Sequence, residues 1–313
     1  MNGEAYPLYD ALVSADIVTD DPDGAAALLV DLLGLPTPRP NSFLEPEGHG
    51  FRAAWLRMQP SMRSAPTRIE LIGARPRTEP HDYVEERIDA QGGRPVRTHA
   101  TVLAGDVEAV MQHLERTGVR HRVTPASEDF DFPRVWIGVT ADDPLGYRAE
   151  VDAGLWIEVV PTEKSGVSAA DAGVGTGDGP GVRRIRARRF LVSDLDRAVQ
   201  ALGSNLGFAP PSMSTHEDGV SATYELRNPL SAALELCQPA DESELGAFHR
   251  EWGDGPHAIV LEVGDIDHMA AALGRHGVAG VASVNAVGER VLRLDSSGTL
   301  GVPFELVEAR SRP

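Results

Sequence analysis

The chain has 313 residues, of which 42% are hydrophobic, and a formal net charge of −18 at pH 7. This acidic balance argues against nucleic acid or an anionic membrane as a partner, because binding to phosphates depends on basic patches. The single cysteine, Cys237, excludes an intrachain disulfide framework, and no apolar run approaches the roughly 20 residues of a membrane span. The first residues lack the basic and apolar regions of a signal peptide, so the sequence predicts a cytoplasmic protein.

One pattern occurs four times along the chain. In each copy an alternating strand precedes an aspartate suited to a helix N-cap, and an apolar stripe of 3.6-residue period then ends near a glycine. The four capping aspartates are Asp21, Asp106, Asp194 and Asp265. Each copy closes on a strand in which a glutamate stands between two apolar residues, namely Glu70, Glu158, Glu235 and Glu305. The sequence therefore predicts four repeated units, each made of a strand, a helix and three further strands.

These units cover residues 9–74, 97–161, 182–239 and 256–309. Residues 163–181, between the second and third units, are rich in glycine, alanine, serine and aspartate and have no periodic apolar set, which is typical of a flexible linker. We therefore predict two domains, residues 1–162 and 182–313. The glycine-rich run within the linker lacks the flanking strand, helix and terminal lysine of a phosphate-binding loop, so no nucleotide site is predicted there.

Four consecutive units of this kind resemble the vicinal oxygen chelate superfamily, which includes glyoxalase I, methylmalonyl-CoA epimerase, extradiol dioxygenases and antibiotic-resistance proteins. The resemblance covers nearly the whole chain. It implies an α+β fold in which the units pair into two curved, eight-stranded cups. It also implies a divalent metal ion inside a cup, held by residues of the first and last strands of the paired units.

In that family the first-strand ligand lies seven residues before the capping aspartate. Applied here, this rule selects Ser14, His99, Ala187 and Ala258, and the last-strand rule selects the four glutamates. The resemblance thus implies a divalent metal (Zn, Ni, Co, Mn or Fe) in the N-terminal cup, held by His99, Glu70 and Glu158. Asp16 is on the same strand face as Ser14 and is expected to replace the missing ligand or to contact the substrate.

The C-terminal cup has fewer candidate ligands, because both of its first-strand positions are alanine. His257 lies one residue early and would face the cup only if a β-bulge corrects the register. Arg189 is expected on the same strand face as Ala187, where its guanidinium group suits an anionic part of a substrate.

The predicted function is a metal-dependent enzyme acting on a small carbonyl or enol substrate with vicinal oxygens. Glu70 or Glu158 would move a proton in an isomerase, epimerase or lyase reaction. One alternative is metal-free binding of a small molecule, as in the antibiotic-resistance proteins. A second is an extradiol-type dioxygenase, although the resemblance then requires two histidines and a glutamate in the C-terminal domain, which offers only His257 and Glu305. The expected assembly is a monomer or homodimer.

Overall fold

The computed structural model describes residues 8–78, 84–140, 143, 145, 149–167, 179–285 and 287–309. Most of the predicted linker, residues 168–178, therefore lies outside the described residues. In the first half the strands are β1 (Tyr9–Leu12), β2 (Ser14–Val18), β3 (Phe43–Leu44), β4 (His49–Leu56), β5 (Arg68–Arg77), β6 (Thr101–Gly105), β7 (His121–Thr124), β8 (Arg134–Ile137) and β9 (Ile157–Pro161). The helices are α1 (Pro22–Leu33), α2 (Val84–Asp89), α3 (Val107–Thr117) and α4 (Ala149–Asp152).

In the second half the strands are β10 (Val182–Leu191), β11 (Ser212–His216), β12 (Gly219–Tyr224), β13 (Ala233–Pro239), β14 (Gly255–Val263), β15 (Gly280–Val284), β16 (Arg290–Leu294) and β17 (Phe304–Glu308). The helices are α5 (Leu195–Leu206), α6 (Glu244–Trp252) and α7 (Ile266–Arg275). The strand order is β11-β12-β13-β10-β14-β17-β16-β15, which is the eight-stranded sheet expected for a cup. At its centre β10 pairs with β13 in parallel and with β14 in the antiparallel sense.

The first half differs in that its sheet is divided at Val13. This residue separates β1 from β2, so the strands fall into the orders β1-β6-β9-β8-β7 and β2-β5-β4-β3. The backbone N–H of Val13 donates to the carbonyl of Val102 at 2.8 Å, and its own carbonyl accepts from the N–H of Arg68 at 3.1 Å. One extended segment therefore still joins the two predicted units of this half.

The predicted helix starts are confirmed. Each capping aspartate accepts a hydrogen bond from the backbone N–H three residues later, at 2.9 to 3.1 Å. Gly34, Gly118 and Gly207 end their helices in the left-handed conformation that favours glycine. These caps satisfy backbone groups that a helix cannot pair internally, and they hold α1, α3 and α5 at fixed lengths behind the sheets.

Strand alternation separates the core from the cup interior. In β5, Ile69 and Leu71 are buried in the main hydrophobic core, whereas Arg68 and Glu70 line a cavity on the other face of the strand. The same core continues from residues of the first half into residues of the second. At this junction the Tyr9 ring stacks on Phe208 at 4.5 Å, and the Tyr9 hydroxyl donates to the carbonyl of Leu206.

Among the described residues, no helix is long and apolar enough to cross a membrane.

Candidate functional site

The first half contains a cavity of about 350 Å³ whose wall is formed by both of its units. Ser14 and Glu70 reach it from β2 and β5, and Glu158 reaches it from β9. His99 reaches it from the segment immediately before β6. The four positions selected by the family rules thus line a single cavity, although they are far apart in sequence.

Asp16 is placed differently from the expectation. It is not part of the described cavity wall, and its carboxylate is occupied by neighbouring groups. One oxygen, Oδ2, accepts from the backbone N–H of His99 at 2.8 Å and lies 2.8 Å from His99 Nδ1. The other oxygen accepts from the Thr98 hydroxyl at 2.5 Å. The expected substrate contact of Asp16 stays a prediction. In this arrangement Asp16 orients His99, and Nε2 is the ring nitrogen left for a ligand.

The charges around His99 favour its protonated form. Burial by itself lowers the pKa of this imidazole, but the hydrogen bond and charge of Asp16, together with Glu70 and Glu158, raise the pKa to about 9. Burial also acts to raise the pKa of Asp16, and the contacts with His99, Arg188 and Thr98 lower it below its usual value. His99 and Asp16 therefore form an ion pair near neutral pH, with Glu70 and Glu158 close enough to strengthen it.

Both glutamates of the cavity have polar neighbours. The Ser14 hydroxyl donates to Glu70 Oε2 at 2.8 Å, and Arg134 Nη1 lies 3.5 Å from Glu158 Oε1. The strand register explains both positions, because Glu70 lies opposite Trp55 and Glu158 lies opposite Trp136 across antiparallel pairs.

The donor set fits a divalent ion in its chemistry. An imidazole fixed by a carboxylate at Nδ1, accompanied by two carboxylates that line the same cavity, is a common set for such ions. Among the described residues, however, no three His, Cys, Asp or Glu side chains already stand close enough together to hold an ion. Binding would therefore require the three side chains to move closer together and His99 Nε2 to release its proton.

Sequence reasoning did not single out Arg68, Arg134 or Phe130 as residues of this wall. The Arg68 guanidinium lies over Trp55, 4.4 Å from the ring centre, and Arg134 lies over Phe130 at 4.3 Å. Trp136 lines the same cavity. Strand alternation could have indicated Arg68, which stands two residues before Glu70 on the same face, but the opposing aromatic residues depend on cross-strand register.

In the second half, an arginine lies between the two carboxylates that the family rules select as ligands. Arg189 Nε is 3.2 Å from Glu235 Oε2, and Arg189 Nη1 is 2.7 Å from Glu305 Oε1. Burial alone would lower the pKa of Arg189, but the two carboxylates raise it well above its ordinary value. The guanidinium of Arg189 therefore neutralises Glu235 and Glu305, and the expected contact of Arg189 with substrate stays a prediction.

His257 lies at a β-bulge, which the sequence analysis had named as the condition for this residue to face the cup. Arg189 pairs with Ala258 and Phe190 pairs with Pro256, so His257 is the extra residue of β14. Burial, together with the charge of Arg189, lowers its pKa to about 3, and its ring meets Phe248 edge-on at 4.9 Å. Nδ1 has no hydrogen-bond partner within the described part of the chain. The bulge brings His257 near Arg189 and Glu305, where burial and the charge of Arg189 keep its imidazole neutral.

Comparisons with known proteins agree with this architecture. Residues 189–312 match the family model of the glyoxalase-like domain. A variant of 4-hydroxymandelate synthase from Streptomyces coelicolor superposes with a TM-score of 0.60 at 16% identity, over 98% of this chain and 95% of that one. Methylmalonyl-CoA epimerase from Mycobacterium tuberculosis is 24% identical over 42% of this chain and 90% of its own, with a TM-score of 0.39. No curated protein sequence matches the chain.

The chain therefore shares the fold of this full-length structural neighbour. The match to the glyoxalase-like domain model is confined to residues 189–312, in the second half. Identity at this level establishes the fold and leaves the activity to be argued from the site.

Proposed function

We propose that the protein is an enzyme whose N-terminal cup acts on a small carbonyl or enol substrate with vicinal oxygens. The observation that carries this proposal is that Ser14, Glu70, His99 and Glu158 line one cavity. In the second half the corresponding carboxylates are paired with Arg189, which leaves the first cup as the better candidate for chemistry.

His99, Glu70 and Glu158 would hold a divalent ion. When bound, such an ion supplies Lewis-acid stabilisation of negative charge on a substrate oxygen. The chain's own groups supply the remaining functions: Asp16 orients His99, and Glu70 or Glu158 accepts a proton from the carbon next to the substrate carbonyl and returns it. Arg68 and Arg134 add positive charge where negative charge develops. This combination supports isomerase, epimerase or lyase chemistry.

A second candidate is metal-free binding of a small molecule. It is favoured by the charges already present, because Arg134 faces Glu158 at 3.5 Å and Asp16 forms an ion pair with His99. These contacts compensate the negative charges of Glu158 and Asp16 without a further cation. An extradiol-type reaction has less support, because it would use Glu305 and His257, and Glu305 is bound to Arg189.

Metal titration distinguishes the two candidates. Tag-free protein would be stripped with chelator and titrated with Mn²⁺, Co²⁺, Ni²⁺ and Zn²⁺ by calorimetry and thermal shift. The enzyme proposal expects one ion per chain in the wild type, at least about tenfold weaker binding in His99→Ala, and unchanged binding in the control His268→Ala, whose side chain is exposed on α7. Equal binding in wild type and His99→Ala, or none in either, would contradict the metal site.

Some sequence predictions remain proposals of the same kind. We propose a cytoplasmic location, a division into domains 1–162 and 182–313, and a monomer or homodimer. Light-scattering mass and limited proteolysis across residues 163–181 would test the last two.

A further inference from the structure

We propose that the first-half cavity binds a single-ring aromatic carboxylate, with its carboxylate on Arg68 and Trp55 and its ring against Phe130 and Trp136. The inference rests on the proposed function only in that it assigns the ligand to the same cavity. It names the class of substrate, which the fold by itself does not.

Two buried donors in the cavity wall have no partner. Arg68 Nε and Trp55 Nε1 make no hydrogen bond to any described residue. Their side chains are in contact, with the guanidinium 4.4 Å from the indole ring centre. Buried polar groups in native proteins are nearly always paired, so two adjacent unpaired donors call for an acceptor from outside the chain. A carboxylate provides two oxygens and the negative charge that a guanidinium prefers.

Arg68 is also the cavity arginine that is best able to bind an anionic ligand. In the described part of the chain its side chain has neither a hydrogen bond nor an ion pair, whereas Arg134 faces Glu158 and Lys164 holds Asp131 at 2.5 Å. Burial lowers the pKa of Arg68 to about 10, a shift that Glu70 opposes, so the guanidinium is charged at neutral pH. The cavity wall therefore presents a positive charge, without an ion-pair partner among the described residues, beside an aromatic face.

The rest of the wall suits an aromatic ring. Phe130 contacts Phe132 edge-on, with ring centres 6.0 Å apart, and both line the cavity. Trp136 donates its indole N–H to the Thr124 hydroxyl at 3.1 Å, so this side chain has only its ring to offer a ligand. Val102 and Val160 complete an apolar lining. Aromatic pairs with offset or edge contacts gain more than burial alone would give.

The cavity volume limits the size of the ligand. About 350 Å³ lies at the lower end of the range of roughly 300–1,000 Å³ found for small-molecule sites. A benzene ring with a short acidic side chain fits this space, whereas a ligand extended by a nucleotide would have to leave most of its atoms outside.

The experiment compares three probes on the full-length, tag-free chain in chelator, so that no metal is needed for binding. Calorimetry would measure phenylacetate, its neutral analogue phenylacetamide, and acetate. We expect phenylacetate to bind at least about tenfold more tightly than either of the others, because the amide loses the charge and acetate loses the ring. Equal affinities for phenylacetate and phenylacetamide, or no binding of phenylacetate at millimolar concentration, would overturn the proposal.

Two variants test whether Arg68 and Trp55 bind the carboxylate of the ligand. Arg68→Met keeps much of the side-chain length and removes every donor, and Trp55→Phe keeps a ring and removes the N–H. We expect about a tenfold to a hundredfold loss for Arg68→Met, a smaller loss for Trp55→Phe, and no change for Arg63→Met, which alters an arginine outside the cavity wall. Should Arg68→Met not fold, as judged by circular dichroism, the wild-type probe series and Trp55→Phe still decide the question.

The outcomes separate the ligand class from the proposed chemistry. Preferential binding of phenylacetate that persists in His99→Ala supports the ligand class even if no ion binds. Ion binding that depends on His99, without preference for phenylacetate, overturns the ligand class and leaves the enzyme proposal standing.

Discussion

Asp16 Oδ2 and His99 Nδ1 lie 2.8 Å apart, and through this contact the first unit of the chain fixes the candidate ligand of the second. The same oxygen also accepts the backbone N–H of His99, so both the ring and the start of the strand are held. Arg188, from the second half, donates to the Asp16 carbonyl at 3.3 Å. The orientation of His99 therefore depends on both units of its own cup and on the neighbouring half.

The first prediction concerns the stability of this ion pair with pH. The folded-state pKa of His99, about 9, exceeds its unfolded value of 6.5, so the folded state binds the proton more tightly. The stabilisation is complete below pH 6.5 and is lost as the pH rises through 9. At its full extent it is worth roughly 3 kcal/mol, because raising a pKa by one corresponds to about 1.4 kcal/mol. We expect Asp16→Asn to remove most of it.

Urea denaturation of both proteins between pH 6 and 10 measures this effect. The difference in unfolding free energy between wild type and Asp16→Asn should be largest near pH 6 and should shrink steadily as the pH rises from 6.5 to 9. A remainder should persist, because the Thr98 and backbone hydrogen bonds to Asp16 do not depend on the charge of His99. Asp20→Asn, at an exposed position, is the matched control. A difference that stays constant from pH 6 to 10 would show that the two groups do not form an ion pair.

The second prediction concerns the first-strand ligand position that holds serine. Ser14 faces the cavity and hydrogen-bonds Glu70 at 2.8 Å, so Ser14→His would add an imidazole and release a carboxylate. If the metal site is correctly assigned, this variant should bind Co²⁺ or Zn²⁺ about tenfold more tightly or better, because a fourth protein ligand is added. Ser14→Ala releases Glu70 without adding a ligand and is the control. Unchanged affinity in Ser14→His, measured by calorimetry, would count against the assignment.

The sequence predicted those features that depend on local pattern. Helix caps such as Asp106 and Gly118 are read from neighbouring residues, and the four units follow from their repetition, so these patterns were sufficient to predict the fold. Contacts between distant segments were not accessible in this way. Asp16 and His99 are 83 residues apart, and Arg189 and Glu305 are 116 apart. The partners of Asp16 and Arg189 depend on strand register and burial, which alternation alone does not specify.

His257 is a further example of a position that could not be predicted from the sequence, because it depends on strand register. Counting from Asp265 placed it one position early, and only a bulge could turn it toward the cup. The structure contains that bulge, because Arg189 and Phe190 pair with residues 258 and 256. Whether a strand takes up an extra residue depends on its neighbours, which explains why the sequence left both outcomes open.

The third prediction tests Arg189, the partly buried arginine of the second cup. Arg189→Met removes the cation between the buried Glu305 and the partly buried Glu235, and removing one partner of a buried ionic group costs about 3–5 kcal/mol. We expect a loss of this size in urea denaturation. The triple variant Arg189→Met, Glu235→Gln, Glu305→Gln removes the uncompensated charges as well and should recover much of the loss. If Arg189→Met were as stable as the wild type, the guanidinium would not be neutralising these carboxylates.

The fourth prediction concerns Arg94, which joins the two halves. Its buried guanidinium donates five hydrogen bonds, of 2.8 to 3.2 Å, to carbonyl oxygens at and just beyond the C-terminus of α6: those of Trp252, Gly253, Asp254 and Pro256. These carbonyls have no partner within the helix, so Arg94 both caps α6 and ties the first half to it.

Arg94→Met should therefore lower the unfolding free energy by roughly 2–5 kcal/mol, since several charged hydrogen bonds are lost at a buried site. Arg94→Lys should recover only part of this loss, because an ammonium group has three donors and cannot reproduce the planar fork. Because the contact joins the halves, Arg94→Met should also broaden the urea transition or split it in two, as the halves unfold with less mutual support. Arg116→Met, exposed on α3, should change neither the midpoint nor the slope. A single transition of wild-type midpoint in Arg94→Met would show that the other contacts between the halves hold them together without Arg94.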